Sequence, residues 1–181
     1  IRDVLNQGAC VDSFGVGERL ITAKSEPVFG GVYKLVAVEN DGKIVPKIKI
    51  SENTEKITNP GFKKIYRIYD KETHNAIADL IALNNEIIDE SMPLEIFHPI
   101  ETWKRKTVTN YYVEDLMVKI FDKGKQVYES PSVLEIKEFS QNESLKMWSE
   151  ILRFENPHTY YVDLSEKLWT LKQNLLHKCI K

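Results

Sequence analysis

Two groups of residues along this chain have the types and spacing to handle phosphate. Val11-Asp12 leads as a short apolar strand into Ser13-Phe14-Gly15-Val16-Gly17, a loop that combines a hydroxyl with two glycines one residue apart. A bound phosphate needs backbone N–H groups aimed at it without a Cβ in the way. Glycine at alternate positions lets a chain curl into such a nest, and the Ser13 hydroxyl adds a donor. Tight turns also use Gly-x-Gly for steric reasons, so the spacing alone leaves both roles open. Arg19 follows closely enough to add charge, with a solvated arginine as its alternative role. The carboxylates of Asp12 and Glu18 sit awkwardly beside a phosphate nest, and Glu18 is expected to turn toward Arg19 or Lys24. The second group is basic. Lys34 follows Gly30-Gly31-Val32-Tyr33, while Lys56, Lys63 and Lys64 frame the turn Thr58-Asn59-Pro60-Gly61. Ammonium groups placed this way can neutralise a polyphosphate or a departing pyrophosphate. A surface role is the alternative for all four, and it is the favoured one for Lys63 and Lys64.

Composition narrows the classes of function. The 181 residues carry a net charge of −2, with 25 Lys and Arg against 27 Asp and Glu. That balance argues against the clustered basic face a nucleic-acid binder needs for counterion release. Trp103-Lys104-Arg105-Lys106, the most basic run, is flanked by Thr102, Thr107 and Thr109 and reads as one strand with charges on its exposed face. No apolar run approaches the roughly 20 residues that cross a bilayer, and the beginning lacks the pattern of a signal peptide, so no membrane association and a cytoplasmic location are expected. Cys10 and Cys179 read as reduced thiols. Neither shows metal-ligand spacing with His74, His98, His158 or His177, so no metal site is expected in the chain itself. His98 and His158 each adjoin a proline and read as turn histidines.

The elements that must position these groups follow from local signals. Ile1 to Leu5 reads as helix stopped by Gly8. Val32–Glu39, Ile44–Ile50, Lys64–Tyr69 and Ala76–Leu83 read as strands of an antiparallel sheet, the first two joined by a hairpin at Asn40-Asp41-Gly42. Leu94–Phe97, Trp103–Thr109, Met117–Phe121 and Gln126–Tyr128 read as further strands. Ser132-x-x-Glu135 is a capping box opening a helix to about Phe154, with Leu134, Phe139, Leu145, Trp148, Ile151 and Leu152 as its core face. Asp163-x-x-Glu166 is expected to cap the last helix, where Leu164, Leu168, Leu171, Leu175 and Leu176 form a packing stripe.

Taken together, the loop through Arg19-Leu20-Ile21-Thr22, Gly30 to Val38 and Lys56-Ile57-Thr58-Asn59-Pro60-Gly61-Phe62-Lys63-Lys64 form an ordered series of blocks. Leu94 to Pro99, Thr102 to Thr107, Asn156-Pro157-His158 and Tyr160 to Ser165 extend it. In order and spacing the series resembles the C-terminal part of bacterial nicotinate phosphoribosyltransferases, over essentially the whole chain. The resemblance implies a mixed α+β and α/β fold. Residues 1–30 would be the last strand-loop unit of an irregular α/β barrel, 31–130 a β-rich, sandwich-like α/β region, and 131–181 the C-terminal helices.

It also implies an ATP-coupled, ligase-type reaction of NAD salvage, in which nicotinate and phosphoribosyl pyrophosphate give nicotinate mononucleotide, with Mg²⁺ accompanying the substrates and a homodimer as the assembly. Ser13, Gly15, Val16 and Gly17 would hold the 5′-phosphate, and Lys34 and Lys56 would contact pyrophosphate or ATP. The chain reads as a C-terminal fragment, inactive alone, with the catalytic histidine expected in a preceding part. Glu18 stands where many members of the resembled family have threonine. The alternatives are a nicotinamide- or quinolinate-type relative and a non-catalytic β/α module.

Overall fold

The computed structural model describes residues 1–28 and 30–179 and divides the chain into two units, Ile1–Tyr33 and Lys34–Lys181. The smaller unit holds two short helices, α1 (Arg2–Asn6) and α2 (Glu18–Ile21). Gly8, at φ +79, ends α1 as expected, its N–H reaching Leu5 O and the Ala9 N–H reaching Val4 O. Only glycine adopts that conformation without strain. The strand expected to lead into Ser13 does not form. Among the described residues of this unit no second strand lies beside it, and a strand without a ladder partner has nothing to hold it extended.

The larger unit is built on a four-stranded sheet. Its strands are β3 (Lys63–Asp70), β4 (Ala76–Leu83), β7 (Tyr111–Asp115) and β10 (Val162–Leu164), in the order β10-β4-β3-β7. β3 pairs antiparallel with β4 and β7, whereas β10 runs parallel to β4. Alternation along the strands puts Tyr66, Ile68, Ala78, Leu80 and Ala82 on one face, where Ile96, Val108 and Tyr111 complete the core. Ile96 and Val108 come from the hairpin of β5 (Leu94–Phe97) and β6 (Arg105–Val108). The β3–β4 turn is closed by Asp70, whose Oδ1 accepts from the Glu72 and Thr73 N–H groups, and these bonds hold its carboxyl below the usual aspartate range.

Two further hairpins use left-handed turn residues. β1 (Ala37–Asn40) and β2 (Lys43–Pro46) turn at Asp41 and Gly42, φ +50 and +73. β8 (Phe121–Asp122) and β9 (Lys125–Gln126) turn at Lys123 and Gly124, φ +48 and +79. A two-residue turn with both φ values positive matches the twist of paired strands. The strands are shorter than the sequence suggests, and β2 ends at Pro46, which has no N–H to extend a ladder.

The helices depart from expectation in three places. The capping box of α3 (Val133–Leu145) forms, with Glu135 N–H donating to Ser132 Oγ and Ser132 N–H donating to the Glu135 carboxylate. The helix stops nine residues before Phe154, because the Ala76 N–H at the head of β4 takes the Lys146 carbonyl and the Lys146 and Met147 N–H groups fall back on i−3 carbonyls. Its expected core face is not a core. Leu134, Phe139 and Leu145 are 76%, 67% and 80% exposed, and only Trp148 and Ile151, beyond the helix, are half-buried. The cap of α4 (Glu166–Cys179) is Ser165, whose Oγ accepts the Leu168 N–H, while Asp163 is held in β10 opposite Leu80. The leucine stripe packs as expected around fully buried Leu168.

Asp163 is 4% exposed, and burial pushes its carboxyl above the usual aspartate range, an effect that nearby His98 partly opposes. The folded chain therefore keeps this proton at a pH where the unfolded chain releases it. The carboxylate subtracts stability as pH rises from the ordinary aspartate range through its elevated native value. Asp163→Asn removes that penalty. Denaturant unfolding should show variant and wild type closest in stability in acid, and the variant gaining on the wild type toward neutral pH. A difference that does not change with pH would contradict the assignment.

Candidate functional site

The residues expected to handle phosphate fall in both units. In the smaller one, Ser13, Gly15, Val16 and Gly17 form a continuous exposed loop ending at the N-terminus of α2. Gly17 has φ −98 and ψ −146, and neither Gly15 nor Gly17 lies in the left-handed region. A Cβ at either position would meet nothing within 4 Å, so neither glycine is required here by a tight turn or a close contact. Among the described residues, no backbone N–H from Val11 to Gly17 donates a hydrogen bond to the protein. Unpaired, exposed amides beside glycine are the donors an anion uses. Glu18 is the first residue of α2, where a carboxylate suits the positive end of a helix.

In the larger unit, Lys34 is exposed and Lys56 is the exposed last residue of a 3₁₀ turn, Thr54–Lys56, whose Asn53 side chain accepts the Glu55 N–H. Among the described residues neither lysine has a carboxylate partner. The Val36 carbonyl accepts from both Lys47 N–H (2.8 Å) and Gly61 N–H (2.7 Å). That shared acceptor brings the segment after Lys34 against the turn that follows Lys56.

The same turn holds what sequence reasoning missed. Lys63 is half-buried, its Nζ donating to Asn59 O at 2.8 Å and Gly61 O at 2.7 Å, and Lys172 Nζ donates to Asn59 Oδ1 at 2.8 Å. Desolvation lowers both ammonium groups below the usual lysine range. Lys63 is thus a clasp on the turn rather than a solvated surface charge. Lys172 left one signal: it lies four residues after Leu168 and three before Leu175, a cation on the buried stripe of α4. Lys64 instead lies over the Tyr66 ring at 4.8 Å.

A third cluster was also unseen. Arg67 on β3 donates twice to Asp79 on β4, at 2.8 and 3.1 Å, and once to Glu143 of α3 at 3.1 Å. Tyr160 OH donates to the same Asp79 at 2.8 Å. The hydrogen bonds to Asp79 raise the Arg67 guanidinium further, and burial followed by the Asp79 bond raises the Tyr160 hydroxyl. With every charge partnered, this cluster positions backbone and offers no reactive group. The basic run is partnered too: Lys104 with Glu101, and Arg105 with Glu95 and, at 4.9 Å, the Phe97 ring. His98 Nδ1 accepts the Ile100 and Glu101 N–H groups, the satisfied turn histidine expected.

A family model described as the nicotinate phosphoribosyltransferase C-terminal domain matches residues 62–172, more than half of the chain. The chain belongs to the nicotinate phosphoribosyltransferase family. It is 44% identical over 178 residues to nicotinate phosphoribosyltransferase of Bacillus subtilis (strain 168), an alignment covering 98% of this chain and 36% of that protein. It is 33% identical over 176 residues to the Dictyostelium discoideum nicotinate phosphoribosyltransferase, covering 93% and 29%. The fold is shared with the crystal structure of human nicotinic acid phosphoribosyltransferase at a TM-score of 0.65 and 28% identity, over 81% of this chain and 27% of that one. The chain thus spans about a third of the length of the curated relatives it matches, and its mixed α/β architecture is similar to part of the human structure. Among the described residues, no helix is long and apolar enough to cross a membrane.

Just ahead of the matched residues 62–172, the Asn59–Gly61 turn has little room to vary. Gly61 is buried at φ +91, and a Cβ there would lie 2.9 Å from Leu83 Cδ2 and 3.6 Å from Leu171 Cδ2. Gly61→Ala combines backbone strain with that clash and should cost about 1–3 kcal/mol in denaturant unfolding. A loss within experimental error would show that the turn tolerates another geometry.

Proposed function

We propose that the chain works as the C-terminal part of a nicotinate phosphoribosyltransferase, in which nicotinate displaces pyrophosphate from phosphoribosyl pyrophosphate to give nicotinate mononucleotide in NAD salvage. The observation that carries this reading is the run of unpaired amides from Val11 to Gly17, inside a stretch that aligns almost end to end with the Bacillus subtilis nicotinate phosphoribosyltransferase. Residues 1–30 then form the final strand-loop unit of an α/β barrel, a setting in which ligands gather where strands give way to loops. The strand itself needs barrel neighbours to pair with. The sandwich-like region and the C-terminal helices follow it.

In this assignment Ser13, Gly15, Val16 and Gly17 hold the 5′-phosphate through backbone amides and one hydroxyl. Charge-assisted hydrogen bonds of this kind are worth roughly 1.5–3 kcal/mol each. The exposed, carboxylate-free ammonium groups of Lys34 and Lys56 suit the charge of pyrophosphate or of the ATP whose hydrolysis drives the reaction. Among the described residues no cluster of acids or histidines gathers to hold a metal ion. In this proposal Mg²⁺ comes with the substrates and would neutralise charge on the leaving group. A cytoplasmic homodimer completes the proposal.

The decisive assay is nicotinate mononucleotide formation by the enzyme with this chain as its C-terminal part, given phosphoribosyl pyrophosphate, Mg²⁺ and ATP, with nicotinamide and quinolinate in parallel. Product from nicotinate alone is expected. Product from another base would overturn the substrate, and no product from any base would overturn the reading. In the same enzyme, Gly17→Val should raise the apparent KM for phosphoribosyl pyrophosphate about tenfold or more, equivalent to losing one charge-assisted hydrogen bond. An unchanged KM would remove the loop from the site.

A further inference from the structure

The turn Asn59-Pro60-Gly61 gathers two half-buried positive charges around a single residue. Lys63 Nζ is bound to the Asn59 and Gly61 carbonyls, and Lys172 Nζ to Asn59 Oδ1. Each ammonium has three N–H donors. Among the described residues this leaves one on Lys63 and two on Lys172 without a protein acceptor. The Asn59 carboxamide, oriented by Lys172 taking its oxygen, also has an NH₂ that donates to no described group. Neither lysine forms an ion pair there, and burial lowers both with no carboxylate near enough to offset it. Buried charges are ordinarily paired, so two cations sharing one neutral partner is an unbalanced arrangement.

The arrangement is also rigid. Gly61 is buried and its N–H is bonded to the Val36 carbonyl, and Lys172 stands on α4, whose Leu168 is fully buried. Donors held in place before a ligand arrives lose little entropy on binding it. Half-burial screens their charges less than those of a surface lysine. We propose that Lys63, Lys172 and the Asn59 carboxamide form a binding site for a doubly charged oxyanion of the phosphate type. Two positive charges call for two negative ones, and donors from three side chains suit a tetrahedral group better than a planar, singly charged carboxylate. This site does not depend on the reading of the Ser13–Gly17 loop.

The test is residue-resolved NMR of the 181-residue chain, titrated with inorganic phosphate and, at matched ionic strength, with chloride. Saturable shifts at the Asn59 side-chain NH₂ and the Gly61 N–H with phosphate alone are expected. Lys172→Gln should weaken them about tenfold or more, and Lys172→Arg should retain them. Equal shifts with chloride, or none at Asn59, would overturn the site, as would unchanged affinity in a folded Lys172→Gln variant. The wild-type titration decides even where that variant does not fold. Shifts confined to the Gly15 and Gly17 amides would support the phosphate loop and overturn the Asn59 site, so the two readings fail separately.

Discussion

Residues 84–161 leave β4 and have to return before Val162–Leu164 can lie along it. Closing so long an excursion costs chain entropy, and a three-residue parallel ladder offers little against it. The side chains at the join supply the rest. Ser165 Oγ donates to Glu86 Oε1 at 2.7 Å and accepts from the Leu168 N–H, while the other end of Glu86 is fixed by its own backbone carbonyl taking the Tyr66 hydroxyl. Glu86 Oε1 also accepts the Leu83 N–H. One hydroxyl thereby ends the excursion, caps α4 and satisfies a buried carboxylate that would cost several kcal/mol if left alone. Leu164 and Leu168 bury themselves on either side of it. The position of α4, and with it Lys172 against Asn59, follows from this junction.

Arg67 makes a second tie of the same excursion. Its bidentate contact with Asp79 is a cross-strand pair, directly opposite in register, and its remaining reach goes to Glu143 near the end of α3. Tyr160, just ahead of β10, joins at Asp79. A partly buried ion pair adds little net stability over an apolar replacement, but losing one partner strands the other. Its use here is to hold two distant points of the chain at one place on the sheet. α3 needs that hold, since its own face buries nothing and an isolated helix of its length is marginal in water.

Signals that act within a few residues were legible in the sequence. The Asp41-Gly42 turn, the helix stop at Gly8, the Ser132 capping box, and strands such as Leu94–Phe97 all depend on local φ, ψ and side-chain reach. What was not legible depends on partners far along the chain. The end of α3 is set by Ala76 taking the Lys146 carbonyl, and the α4 cap moves from Asp163 to Ser165 because β4 claims Asp163 for a ladder. The apolar pattern of α3 reads as a core face, but hydrophobic periodicity describes only one side of a contact. For the site, the Ser13–Gly17 loop could be picked out by residue type, while Lys63 and Lys172 meet at Asn59 only after α4 has docked.

The two proposed anion sites illustrate opposite ways of presenting donors. The Val11–Gly17 loop leaves its N–H groups without protein acceptors among the described residues, and in the proposed reading a phosphate takes the place of solvent on those amides. Such a loop gains geometry only from what surrounds it, so the functional reading rests on its unpaired amides together with the alignment that contains them. At Asn59 the donors are placed by the fold, with a buried glycine, a helix and a shared carbonyl fixing the turn. There the cost of bringing cations together has been met by folding, and the gain from a balancing charge is correspondingly larger than for lysines free in solvent.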